Sequence, residues 1–500
     1  MCGFTAYVGA SGDRRIDEAR RTADLLRHRG PDDAAAHAWK NAALAHRRLS
    51  IIDVGGGRQP LANEDGTIGL VCNGEIYNFR ALRRELGASH RFRSASDSEV
   101  IVHLYEEKGA ACVRELDGMF AFVLTDGERF LAARDALGIK PLYVGRDPGG
   151  SGLWFASELK ALPADCEGVA EVQPGTLMTE RGVERWFDPP WLEPPAEPDP
   201  DDTVALRRSL ERAVEKRLMS DVPLGVFLSG GLDSSAIAAL VKRAIPDLHS
   251  FAVGLEGSAD LPAARRAAAH IGTQHHEYVY SPAEAVAVIE PVIEHLESYD
   301  EALIESAVPC WFVSKLAAEH VKVVLSGEGA DEVFAGYQYF ADITDPAALH
   351  RECVRLLLGL HNMNLQRVDR MTMAHALEGR VPFLDLELVA GAMRLDPALK
   401  TTGPRRPEKW MLRRAVGDLL PFEIAWRTKK EFAHGSGAAN VLSEHAERSV
   451  TDADFARRHE LFPDDTPTTK QGFAYRRIFE ERFPGEARRR TVGRWRGRAS

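Results

Sequence analysis

The feature that most constrains this chain is a change of grammar at the proline-rich stretch WFDPPWLEPPAEPDPDDT, residues 186–203. Ahead of it, short apolar or alternating runs end in Gly, Asp or Asn turn signals and read as strands at 2–9, 42–52, 67–74, 119–127 and 129–135. Helices at 14–29 and 96–109 interrupt them, the second with Ser96 and Glu99 at capping-box spacing. Many strands with few helices predict stacked sheets rather than a βαβ repeat. Beyond the stretch, strands at 222–230, 249–255, 276–280 and 321–329 alternate with helices at 203–219, 233–244, 262–271 and 306–319. That alternation predicts a parallel sheet covered on both faces, and from 347 onward the chain reads as mainly helical. The expected division is 2–190, an extended surface linker at 191–204, 205–485, and an Arg-rich tail at 486–500 that reads as a solubilising, partly disordered arm.

Composition narrows the function classes. With 44% apolar and 27% charged residues, each part can bury a real core, which excludes a disordered chain. A net charge of -11 argues against a protein built around nucleic-acid phosphates. Six scattered Cys (2, 72, 112, 166, 310, 353) make no disulfide framework, and the lack of a CxxC pair argues against a structural thiolate zinc site. The start MCGFTAYVGASGDRR has no signal-peptide pattern, and no apolar run reaches membrane-spanning length, so a soluble, cytoplasmic protein is expected.

Cys2 is the first chemical clue. Removal of Met1 would leave it with a free α-amine, whose reference pKa of about 7.7–8.0 suits it to act as general base for its own thiol. Polar segments flank the apolar strands around it in sequence: RHRGPD (27–32), AHRRLSI (45–51), NGEIYN (73–78) and ASDSEV (95–100). Arg48 can clamp an α-carboxylate and Asp97 an α-ammonium, while Asn73 and the Gly74 N–H can stabilise a tetrahedral oxyanion. The alternatives are ordinary: Cys2 as a small strand residue, Arg48 in a surface ion pair, Asp97 in a helical turn, and Asn73-Gly74 as a type I′ hairpin turn. Spacing alone does not bring these segments together.

In the second half, LSGGLDSS (228–235) lies between a strand and a helix, the place a nucleotide needs its turn. Gly230 and Gly231 allow close backbone approach, and the hydroxyls of Ser229, Ser234 and Ser235 can surround pyrophosphate oxygens. Asp233 beside phosphate implies an intervening cation, hence Mg²⁺, and the loop lacks the GxxxxGK[ST] pattern of γ-phosphate transfer. SGEGADEVFAGY (326–337) repeats the design, with Asp331 as a second Mg²⁺ ligand and Glu328 placed to manage protons. A dipole-stabilised first helical turn would also explain Asp331 but not the glycines.

The first 190 residues resemble the class II glutamine amidotransferase domain, an N-terminal-nucleophile hydrolase, through MCGF, RHRGPD, AHRRLSI, NGEIYN, SDSEV, LDGMFAF, RDALGIKPLY and ASELKAL. The remainder resembles the ATP-pyrophosphatase domain of the glutamine-hydrolysing asparagine synthetases through SFAVGL, VKVVLSGEGADEVFAGY, DRMTMAHALEGRVPFLD and WRTKKEF. The resemblance implies a four-layer αββα sandwich joined to an α/β parallel-sheet nucleotide domain with additional helices. It further implies glutamine hydrolysis, internal ammonia transfer, adenylation of aspartate by ATP with Mg²⁺, and release of asparagine and AMP. By resemblance Cys2 is the nucleophile, Asn73 and Gly74 serve the oxyanion, and Arg48, Asn73, Glu75 and Asp97 bind glutamine. Leu228, Val253, Ser326 and Gly327 would contact adenosine, Ser229, Gly231, Asp233 and Ser234 pyrophosphate, and Lys429 (or Lys430) phosphate charge, with Glu328 as general base. Arg380 and Asp385 would brace the site, and a homodimer is an assembly the family allows.

Glu305, in LIESAVPC, is the departure: where relatives carry Arg, a carboxylate would repel a dicarboxylic acceptor. Aspartate remains the expected acceptor, with Glu305 outside substrate contact. The alternative is a related amidotransferase acting on another carboxylate, one bearing a positive group. A non-catalytic regulatory protein is disfavoured because Cys2, Asp233 and Glu328 are all present.

Overall fold

The computed structural model describes residues 2–148, 150, 152–403, 406–428 and 432–495. Two six-stranded antiparallel sheets stack face to face in the N-terminal part. One runs Glu167–Glu171, Tyr143–Arg146, Leu153–Ala156, Cys2–Val8, Ala42–Arg48, Asp33–Trp39; the other runs Gly182–Arg185, Thr176–Thr179, Phe130–Arg134, Gly118–Thr125, Gly69–Ile76, Leu61–Ala62. Phe4, Leu44, Val71, Val123 and Phe155 fill the space between them. Helix Ile16–Asp24 covers the outside of the first sheet, and Phe79–Leu86 with Glu99–Lys108 cover the second. The four layers follow from strands with apolar residues on both faces, which must be covered twice.

The C-terminal part holds a five-stranded, wholly parallel sheet in the order Gln274–Val279, His249–Gly254, Leu224–Phe227, Val323–Leu325, Glu378–Arg380. Its strands are shorter than the sequence suggests, because 228–231 and 326–329 leave the sheet to form turns at its carboxyl edge. Among the described residues no helix is long and apolar enough to cross a membrane.

Two local expectations are corrected, one alternative is removed, and the linker proves anchored at its start. Helix Glu99–Lys108 has no side-chain cap from Ser96 or Ser98; Glu99 instead accepts from Arg93 N (2.6 Å), Ser94 N (2.8 Å) and Ser94 Oγ (2.6 Å). Asn73 and Gly74 lie inside strand Gly69–Ile76, not in a hairpin turn. The proline-rich stretch is anchored at its start, where Trp186 stacks on Phe120 and buried Trp191 offers its carbonyl to His350 Nε2 at 3.0 Å, while residues 192–202 lie mostly exposed. The tail through 495 is docked, with Trp495 N donating to Asp300 Oδ2 (2.8 Å) and the Arg494 guanidinium 4.0 Å from the Tyr299 ring centre. Aromatic burial overrides the polar composition of both segments.

Candidate active sites and the helix between them

Strand Cys2–Val8 pairs antiparallel with Ala42–Arg48, so Cys2 stands directly across from Arg48. Cys2 N donates to Asn73 Oδ1 at 3.1 Å, leaving Asn73 Nδ2 buried with no hydrogen-bond partner. An orphaned buried donor beside a thiol is what an oxyanion site contains before the oxyanion forms. Gly74 is required by sheet packing: a Cβ there would lie 2.2 Å from Met119 O. Burial pushes the Cys2 thiol up, opposed by a Leu49 backbone hydrogen bond and by Arg48.

Arg48 is aimed by the carbonyls of Ile52 (3.0 Å), Asp53 (2.7 Å) and Val54 (3.3 Å). These acceptors leave its charge uncancelled, so the guanidinium can still attract a carboxylate. Asp97 accepts from Ile76 N at 2.7 Å, and burial raises its carboxyl. Burial also drives Glu75 well above the usual carboxylate range, aided by Glu378 and Asp97. The structure thus gathers Cys2, Arg48, Asn73, Gly74, Glu75 and Asp97 around one strand end.

The second site is a cavity at the carboxyl ends of the parallel strands. It is lined by Leu228, Ser229, Gly231, Asp233, Ser234, Val253, Ser326, Gly327, Glu328 and Asp331. The Ser229 and Ser234 hydroxyls meet at 3.1 Å, and Ser234 Oγ accepts from Ser229 N. Two expected ATP contacts are not on the lining. Ser235 is fully buried beneath the turn, and Gly230 (φ 70) lets the neighbouring helix close in, since its Cβ would lie 2.3 Å from Ala263 C. Lys429 lies outside the described residues, as does Lys430.

Lys409 carries no motif signal and was missed by the sequence reading. Its buried ammonium lies 2.5 Å from Asp233 Oδ2 and 2.6 Å from Asp331 Oδ1. The one trace is Gly336, where a Cβ would be 2.0 Å from Lys409 Cε. Arg367 was also missed; its Nη2 is 2.6 Å from Glu328 Oε1, holding that carboxylate at the cavity wall. Arg380 braces the strand ends through the carbonyls of Arg217 (2.7 Å) and Met219 (2.6 Å), while Asp385 accepts from Arg217 at 2.9 Å. Glu305, expected outside substrate contact, lines the cavity, with Gln471 Nε2 donating to its Oε1 at 3.0 Å.

Glu332, buried next to the cavity-lining Asp331, makes a measurable pH dependence. Burial, then Asp331 and Glu328, push its carboxyl up to about 7, against a hydrogen bond from Tyr337. A carboxyl raised on folding adds stability that is complete below the unfolded pKa near 4.3 and is lost as pH climbs through about 7. Between those values wild-type stability should decline by roughly 2–3 kcal/mol more than that of E332Q. Urea midpoints of both proteins from pH 5 to pH 8 check this; parallel curves would rule it out.

Helix Asn364–Met373 joins the two sites. Asn364, Arg367 and Val368 line the cavity at the strand ends. Its next residues face the thiol domain: Asp369 accepts from Arg29 at 2.8 and 3.2 Å, and Arg370 pairs with Glu158 at 2.9 Å. Arg29, fully buried, also donates to the Cys2 carbonyl at 2.9 Å. Fold and sites together define a four-layer sandwich with a buried thiol at its first strand, joined to an α/β domain with a cavity at the carboxyl ends of its parallel strands.

Comparison with known proteins carries this further. A glutamine amidotransferase domain family matches residues 1–183, and an asparagine synthase family matches 205–346 and 341–497. Glutamine-hydrolysing asparagine synthetase 2 of Arabidopsis thaliana is 44% identical over 98% of this chain and 89% of its own length. The glutamine-hydrolysing enzyme of Triphysaria versicolor is 44% identical over 98% and 88%, and asparagine synthetase 2 of Oryza sativa subsp. japonica 43% over 98% and 87%. The chain belongs to the glutamine-hydrolysing asparagine synthetase family.

Proposed function

We propose that this chain hydrolyses glutamine at Cys2 and delivers the ammonia to aspartate activated by ATP, making asparagine. The observation that carries the reading is the single helix Asn364–Met373, which presents Arg367 to the nucleotide cavity and Asp369 to the thiol domain. In the first site the Cys2 sulfur attacks the glutamine side-chain amide, and the proton passes to the α-amine exposed by loss of Met1. Asn73 Nδ2, with Gly74 N–H, receives the oxyanion, while Arg48 and Asp97 hold the amino-acid end; Glu75 is a glutamine neighbour. Collapse releases ammonia, then water frees glutamate from the thioester.

In the second site a carboxylate oxygen attacks the α-phosphorus of ATP and pyrophosphate leaves. Ser229, Gly231 and Ser234 receive the pyrophosphate and Leu228, Val253, Ser326 and Gly327 the adenosine, while Lys429, outside the described residues, takes phosphate charge by the family resemblance. Asp233 and Asp331 fit Mg²⁺, because both carboxylates converge on one point that already carries the Lys409 cation. The bound ion would screen the polyphosphate charge. Ammonia then attacks the acyl-adenylate, Glu328 takes the proton, and AMP leaves. Ammonia kept from bulk water stays unprotonated, which favours passage through the buried contact between domains.

The test is a panel of carboxylates with glutamine, ATP and Mg²⁺, read by product mass. Asparagine and stoichiometric AMP are expected; ADP would contradict adenylation. Glu305 on the cavity wall favours a second reading, an acceptor carrying a positive group. Under the aspartate reading E305A changes the aspartate KM only a few-fold. A new amide from a cationic acceptor, abolished by E305A, would decide for the second reading.

A further inference from the structure

The glutaminase domain carries a second group of chemically capable side chains that the reaction does not use. Glu64, His90, His103 and Glu106 bring their donor atoms within 4.8 Å of one another. Glu64 comes from the turn after strand Leu61–Ala62, His90 from the segment after helix Phe79–Leu86, and His103 with Glu106 from one face of helix Glu99–Lys108. The arrangement is therefore tertiary, drawn from three separate segments.

The geometry points to a divalent transition-metal site of the zinc class, with two imidazole and two carboxylate ligands. His90 Nδ1 lies 3.6 Å from Glu64 Oε1 and 3.5 Å from Glu106 Oε2; His103 Nδ1 lies 3.8 Å from Glu64 Oε2 and 3.0 Å from Glu106 Oε2. Four ligands at about 2.0–2.2 Å from zinc stand about 3.3–3.6 Å apart in a tetrahedron, so only small side-chain shifts separate this cage from a closed site. Both imidazoles offer the same nitrogen to the centre.

The outer contacts are those of a ligand set. His90 Nε2 and His103 Nε2 are buried without a hydrogen-bond partner. Each nonetheless faces a further carboxylate, Glu107 at 3.4 Å and Glu99 at 3.7 Å. A carboxylate behind each metal-bound imidazole fixes its tautomer and raises its basicity. The carboxylate ligands are oriented too: Arg91 N donates to Glu64 Oε1 at 2.6 Å and Asn63 Nδ2 to Glu106 Oε1 at 2.9 Å. Four carboxylates around two imidazoles form an excess of negative charge that a divalent cation neutralises. Two nitrogen donors disfavour Mg²⁺ or Ca²⁺ as the occupant.

Two other clusters lack this character. His249 Nδ1 and His276 Nε2 point at each other at 2.9 Å from rings only 12° apart, the geometry of an N–H···N hydrogen bond. Glu158, between His28 and His295, is already taken by Arg29, Lys160 and Arg370. The metal would fasten residues 64 and 90 to the helix whose N-terminal approach carries Asp97, adding a cross-link near the glutamine site without entering its chemistry.

The test uses the full-length, tag-free protein stripped with a chelator and titrated with Co²⁺ as a visible reporter for zinc. One equivalent should bind with the intense visible bands of four-coordinate Co²⁺, and Zn²⁺ should displace it. E107Q should weaken binding about 10–100-fold. E64Q, E106Q and H90A should weaken it further, and H276A should leave it unchanged. E64Q and E106Q alter partly exposed side chains, so a folding defect in H90A would not decide the outcome. Absence of a four-coordinate spectrum at one equivalent, its survival in the E64Q/E106Q double variant, or its loss in H276A would each overturn the assignment.

Discussion

Cys2→Ala should abolish glutamine-dependent asparagine formation while leaving ammonia-dependent formation within about twofold of wild type. Removing an enzyme nucleophile costs on the order of 10⁴–10⁶ in turnover, because the remaining groups act only with it. The fold should tolerate the change. Cys2 is 6% exposed, the substitution deletes one sulfur, and the contacts that hold the strand end run through the backbone: Cys2 N to Asn73 and Cys2 O from Arg29. The synthetase cavity contains no atom of Cys2, so its chemistry needs only a supply of ammonia. Glutaminase, glutamine-dependent and ammonium-dependent rates measured on one preparation check this. Glutamine-dependent product from pure C2A protein would remove Cys2 from the mechanism.

The second large effect is expected at Asp369, which is one side chain removed from Cys2 through Arg29 and whose loss should uncouple the two activities. Its carboxylate accepts from Arg29, and Lys140 Nζ lies 3.4 Å away; all three side chains are buried. Asp369→Ala leaves buried Arg29 and Lys140 facing each other, with Glu158 remaining beside Arg29 and Glu378 acting on Lys140. Breaking one partner out of a buried charge group costs about 3–5 kcal/mol, since the charges left behind remain desolvated. The domain contact should loosen, glutamate should form in excess over asparagine, and unfolding should begin at lower temperature. The ratio of glutamate to asparagine is the readout a merely structural role elsewhere would leave at wild-type value. A ratio unchanged in D369A, with the melting profile also unchanged, would show that this contact does not couple the sites. D369N, which keeps the volume and one acceptor, should fall between.

Much of the site was legible because its residues sit in locally readable segments. Asn73 and Gly74 adjoin in one strand, and Ser229 to Ser234 occupy one strand-to-helix turn whose glycines announce close approach. The two exceptions within that turn are informative. Ser235 and Gly230 share the loop composition, but helical rotation buries the first and the neighbouring helix claims the second. Adjacency in sequence does not specify direction.

By itself, the sequence determined the sheet types on either side of the proline-rich stretch and the side-chain chemistry available at Cys2 and at the two glycine-containing turns. Those properties follow from hydrophobic period and from residue chemistry, both local. Only the tertiary structure decided that Lys409 stands between Asp233 and Asp331, 78 residues beyond the nearer one, and that Arg367 holds Glu328. It alone decided that Glu305 faces the cavity, that Trp495 returns to its wall, and that one helix serves both sites. Such pairings arise where buried charges need partners, and the nearest opposite charge in space carries no fixed spacing along the chain.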